Sequence, residues 1–124
     1  MKYASAFLIA LAFVASASAQ HKHGDRGPNG GPMEDVAGVV AELVVSGTTV
    51  TLHVYDESTN PVATTGFTAS ALIVSGPDRE TVSFAPSGAN SLYAQVKKPV
   101  GTRATVTITL KTGAGRSGQA KFQI

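Results

Sequence analysis

From residue 36 onward the chain alternates apolar and polar residues with a period of two, and no window beyond residue 20 sustains a helical period. The clearest run is Arg103-Ala-Thr-Val-Thr-Ile-Thr-Leu-Lys111. Ala104, Val106, Ile108 and Leu110 take one side of such a strand, and threonines with two cations take the other. Valine and threonine dominate throughout, and branching at Cβ suits both to a pleated surface. The pattern predicts strands over about 36–45, 50–56, 67–75, 80–85, 91–97, 103–111 and 119–124. Between them lie turn-forming clusters such as Ser46-Gly47, Gly76-Pro77-Asp78, Pro86-Ser87-Gly88 and the stretch from Gly113 to Gly118. Short strands with this punctuation predict an all-β fold, a single antiparallel immunoglobulin-like β-sandwich of about seven strands.

Register can be read at the first hairpin. Gly47-Thr48 suits a two-residue type II′ turn, which sets Val45 opposite Val50, Leu43 opposite Leu52 and Ala41 opposite Val54, all facing inward. The same register puts Glu42 opposite His53 on the outer face. Such an acid–imidazole pair reads first as an exposed cross-strand contact contributing about 0.2–1 kcal/mol. Phe122 and Ile124 are expected to close the core, and Tyr93 to be either a corner tyrosine or an ordinary half-exposed strand residue.

The N-terminus has a different grammar. Lys2, an apolar run from Ala6 to Ala15 and the Ala17-Ser18-Ala19 end have the three-part form of a secretory signal peptide. The run is shorter than the roughly 20 apolar residues of a membrane span. The expected organisation is a signal peptide over 1–19, a flexible His-, Gly- and Pro-rich tail over 20–35, and the β-domain over 36–124. Export places the protein in the periplasm or outside the cell, with no membrane insertion once the signal is removed. Losing Lys2 lowers Lys plus Arg from 10 to 9 against 8 acids, a net charge near +1. So slight a balance argues against a nucleic-acid partner. With no cysteine, disulfide staples and thiolate chemistry are excluded, and the domain must hold by packing.

Candidate chemistry centres on the histidines. His21 and His23 flank one residue in the tail and could converge on Cu(II), Ni, Co or Zn, with Asp25 as a nearby oxygen. Were the tail to fold back, His21, His23, Glu42 and His53 could share an ion. The other reading is a plain polar tail. A lone Met33 cannot make a thioether-rich Cu(I) site. Gly113-Ala-Gly-Arg-Ser-Gly118 has the spacing of a dinucleotide fingerprint but joins two strands, so it carries no such reading. No catalytic constellation stands out, since a Ser-His-acid arrangement would have to rest on His53.

The segment Gly27-Pro28-Asn29-Gly30-Gly31-Pro32-Met33-Glu34, behind a His-bearing tail and ahead of a β-domain, resembles a group of small periplasmic proteins of Gram-negative bacteria. It is also similar to a His-Gly-Pro-x-Gly-Gly segment in periplasmic adaptor subunits of heavy-metal efflux pumps. The resemblance implies a metal-handling role, with a periplasmic component of an efflux system as partner. This chain departs from the pattern at Arg26, where the pattern has His, so ligation there does not carry over. The expected function is a non-catalytic, weak divalent-metal binder, a buffer or accessory to metal efflux. The alternative is a structural or protein-interaction β-sandwich with no metal.

Overall fold

A computed structural model describes residues 25–124. Its elements are all strands: β1 (Met33–Val36), β2 (Val39–Ser46), β3 (Thr49–Tyr55), β4 (Thr68–Ser75), β5 (Asp78–Pro86), β6 (Ser91–Gln95), β7 (Thr105–Lys111) and β8 (Ser117–Gln123). Every pairing is antiparallel, in the hydrogen-bonding order β1-β2-β3-β6-β5-β4-β7-β8. The all-β antiparallel class is therefore the fold of this chain.

The strands form one continuous sheet of eight, where the sequence predicted two facing sheets of about seven. β5 makes the continuity. Its length from Asp78 to Phe84 pairs with β4, and its last two residues, Ala85 and Pro86, pair with Tyr93 and Leu92 of β6. Residues from both ends of the order nevertheless share one core, in which Val36 and Leu43 belong to the same cluster as Ile108 and Phe122. The terminal strands also meet. A Cβ on Gly38, in the β1–β2 turn, would run into the Arg116 guanidinium, and one on Gly118 of β8 would crowd the Ala37 backbone nitrogen. The sheet is thus rolled around a single interior.

The first hairpin has the predicted register, including Val45 with Val50, Leu43 with Leu52, Ala41 with Val54 and Glu42 with His53. Gly47 sits at φ 59°, the conformation the turn requires at its first position. The added strand is β1. It joins β2 through Ala37-Gly38 at φ 52° and 82°, a tight turn with left-handed backbone at both positions. Alanine rarely adopts that conformation, which is why the sequence read one longer strand there. Val106, Ile108 and Leu110 of β7, and Ala104 just before it, are fully buried as their alternation predicts. Ile124 differs, being 39% exposed, so Phe122 closes the core without it. Tyr93 is 42% exposed on β6, an ordinary strand tyrosine.

Candidate functional site

One side chain breaks the rule that strand faces alternate between core and water. Glu42 lies on the outer face of β2, yet it is completely buried. Its cover is the stretch from Asp25 to Pro32, which composition alone marks as linker. That stretch is a small hairpin of its own. Arg26 bridges to Pro32, and the Gly30 N–H donates to the Gly27 carbonyl at 2.9 Å. The Gly27 N–H closes onto the Gly31 carbonyl at 2.8 Å. Pro28 and Asn29 occupy the turn, and Gly30 follows at φ 80°, the left-handed residue of a three-residue loop. Arg26 braces it by donating to the Gly30 carbonyl at 2.9 Å.

Curled this way, the hairpin points two backbone N–H groups at one atom. Asn29 N and Gly31 N donate to Glu42 Oε2 at 2.8 and 2.9 Å. The other oxygen, Oε1, accepts from Asn29 Nδ2 at 3.0 Å and from the Tyr55 hydroxyl at 3.2 Å. Asn29 Nδ2 also donates to the Tyr55 oxygen at 3.0 Å, closing the network. Successive N–H groups converging on an anion form a nest, and here the anion is the chain's own carboxylate. Four donors match an acceptor-only group, so a carboxylate that pairs with no cation among the described residues is tolerated in a buried position.

Two glycines make the approach possible. A Cβ on Gly27 would lie on the Glu42 carboxyl group, and one on Gly31 would strike the Leu43 carbonyl oxygen. Beside the network, Met33, Val40 and Tyr55 are buried together as a second, small apolar cluster on the outer face. Burying each contributes about 1.5–3 kcal/mol, so the hairpin is held by packing as well as by Glu42. Tyr55 registers its surroundings in its acidity. Burial first, then the Glu42 charge and the hydrogen bond to it, push the phenol above its ordinary value, against a smaller opposite pull from Asn29.

His53 stands next to Glu42 in the sheet but bonds elsewhere. Its Nδ1 lies 2.9 Å from the Ser91 hydroxyl, its partner on β6. Glu42, His53 and Ser91 occupy one row across three strands, yet they form no acid–base relay. A relay needs the acid on one ring nitrogen and the hydroxyl on the other. Here the hydroxyl sits on Nδ1, and both carboxylate oxygens face Asn29, Gly31 and Tyr55. The expected exposed Glu42–His53 pair is thereby corrected: the register is right, and the hairpin takes the carboxylate.

Among the other sequence candidates, His21 and His23 lie outside the described residues. Asp25 is exposed, and its carbonyl accepts from the Met33 N–H at 2.9 Å. Among the described residues, no three His, Cys, Asp or Glu side chains gather as a group able to hold a metal ion. Sequence reasoning missed Asn29, Gly31 and Tyr55 as partners of Glu42. A signal was available in β2, where Val40 and Val44 are apolar on the parity assigned to water. That both parities are apolar around Glu42 implies a cover on the outer face. Compared with known proteins, the chain matches no family model, no curated protein and no solved structure.

Proposed function

We propose that this chain is an exported, non-catalytic accessory protein whose β-domain carries an N-terminal His-x-His segment for weak, exchangeable binding of a divalent transition metal. Buffering the ion, or delivering it to a periplasmic efflux system, is the role such a site suits. The observation that carries the reading is the Glu42-centred hairpin. It anchors Gly27–Pro32 to the sheet, so that the pair His21 and His23 precedes a fixed point by only a few residues of sequence. The same observation narrows the ligand set. Glu42 already accepts four hydrogen bonds and would have to surrender them to reach an ion. His53 could offer one nitrogen at most while Ser91 holds the other. The ligands of the proposal are therefore His21 and His23, with Asp25 as a nearby oxygen. Two imidazoles make a weak site, open to exchange, unlike a closed site of four ligands.

A second reading follows from the same geometry. The Gly-Pro-Asn-Gly-Gly-Pro segment, on which the likeness to metal-handling proteins rests, has a structural task in this chain, and its atoms serve Glu42. That favours a structural or interaction domain for which the histidines are incidental. Calorimetric titration of residues 20–124 with Cu(II), Ni(II), Co(II) and Zn(II) separates the two. Binding that disappears in the His21→Ala/His23→Ala double variant and survives in His53→Ala supports the metal reading. Absence of binding in the unaltered protein leaves the interaction domain.

A further inference from the structure

The half of the sheet formed by β5, β4, β7 and β8 has an outer face with a one-sided chemistry. Thr105, Thr107 and Thr109 point outward from β7, and register places Thr107 beside Leu72 of β4 and Lys121 of β8. Arg79 leads the outward residues of β5, and Lys111 ends those of β7. All three cations are exposed, and none is bonded to a carboxylate among the described residues. No Asp or Glu points outward from these four strands. The two acids of β5, Asp78 and Glu80, share the parity of Val82 and Phe84. Asp78 pairs with Lys98 at 3.5 Å, and Glu80 accepts from the Lys97 N–H at 3.0 and 3.1 Å. Between the cations the face presents chiefly hydroxyls, with Gln119 donating to Thr109 at 3.1 Å. A shallow depression of about 190 Å³ opens among Thr68, Ser70, Thr109 and Lys111.

We infer that this face binds an acidic polysaccharide, a chain of sugars bearing carboxylates. Hydroxyl and amide side chains match sugar hydroxyls, and the spaced cations match carboxylates along a polymer. Arg79 and Lys121 stand three strands apart, about 14 Å at roughly 4.8 Å per strand, so one compact anion cannot engage both and an extended chain can. The depression beside Lys111 takes one sugar ring with its carboxylate toward the ammonium group. Single-stranded nucleic acid fits worse, because no aromatic side chain stands on this face to stack a base. A bilayer fits worse too, since Leu72 is its one exposed large apolar side chain.

The test is affinity electrophoresis and calorimetric titration of the protein with polygalacturonate, with dextran as the neutral polymer. Binding to polygalacturonate that weakens with salt, and none to dextran, is expected. Arg79→Ala, Lys111→Ala and Lys121→Ala each lower affinity by about two- to fivefold, the range of exposed ion pairs, and the triple variant by about tenfold or more. Lys97→Ala/Lys98→Ala removes two cations away from the face and leaves affinity within about twofold. No binding to polygalacturonate overturns the inference. So does equal weakening by the Lys97/Lys98 pair, which would make the attraction one of net charge. Binding to phosphatidylglycerol vesicles in preference to the polymer also overturns it, and assigns the face to a membrane surface.

Discussion

Replacing Glu42 by glutamine changes one atom and tests the anchoring of the N-terminal hairpin. Oε2 takes two backbone N–H groups, so the new amide must keep its oxygen there and place its NH₂ at the Oε1 position. On that side the change is nearly absorbed. The Tyr55 hydroxyl can rotate to accept, and the Asn29 amide can turn its oxygen inward. The loss falls on the two backbone bonds. A hydrogen bond to a charged acceptor contributes about 1.5–3 kcal/mol net and a neutral one about 0.5–1.5, so two such exchanges cost about 2 kcal/mol. For a domain of this size that lowers Tm by about 8–16 °C. Glu42→Ala is worse by about another 2 kcal/mol, because the buried Gly31 N–H and phenol and the part-buried Asn29 N–H all lose the carboxylate that accepts from them. Urea and thermal unfolding give the energies. Amide hydrogen exchange at Asn29 and Gly31 gives the location, with both amides exchanging faster in Glu42→Gln while those of β7 keep their rank order. A Glu42→Gln protein as stable as the parent, with those two amides unchanged, would refute the reasoning.

Three further perturbations probe the same construction. The phenol of Tyr55 is held above its ordinary value near 10, so its contribution to stability is complete below that pH and is lost as pH rises through the elevated value. Tyr55→Phe should flatten the fall in urea midpoint above pH 10, at a cost of about 1–2 kcal/mol at neutral pH. Gly31→Ala drives a methyl group against the Leu43 carbonyl oxygen, a backbone atom unable to move aside. It should detach the hairpin, with a loss of about 2–4 kcal/mol by urea melting and proteolytic cleavage between residues 25 and 32. Phe122→Ala, in the fully buried middle of the shared core, should cost about 3–5 kcal/mol and unfold the sheet as a unit, whatever the state of the hairpin.

What could be read from the sequence and what could not divide along a physical line. Period-two alternation reports which side of a strand faces the core, and at Val106, Ile108 and Leu110 it did so without error, because among the described residues no segment buries the opposite face of β7. Gly47-Thr48 supplied a register because a turn of fixed length leaves one pairing free of steric conflict. Both arguments are local. The burial of Glu42 is not, since it depends on a hairpin 11–13 residues earlier that closes over the outer face. Composition shows only that Gly27 to Pro32 cannot be a helix or a long strand. It carries no sign that two N–H groups of that segment will meet one carboxylate. The division into sheets was equally out of reach, because it turns on two residues at the end of β5 continuing across to β6.

Arg26 is where the hairpin and the metal proposal meet. In the His-Gly-Pro-x-Gly-Gly pattern a histidine precedes the Gly-Pro pair, and here the Arg26 guanidinium braces the Gly30 carbonyl from an exposed site. An exposed brace of that kind contributes about 0.5 kcal/mol, so Arg26→His leaves the fold intact. The substitution adds a third imidazole at a point fixed by the Arg26–Pro32 bridge, three residues of sequence from His23. If His21 and His23 are ligands, a third nitrogen on the same short segment should tighten Ni(II) or Cu(II) binding at least tenfold, about 1.4 kcal/mol. The gain should vanish when His21→Ala/His23→Ala is added, because one imidazole alone is a poor site. Unchanged affinity in Arg26→His, with the Glu42 network intact by amide exchange, would mean that the tail does not bring its histidines to the hairpin. The anchored segment would then serve the sheet alone, and the interaction domain would be the better account of the protein.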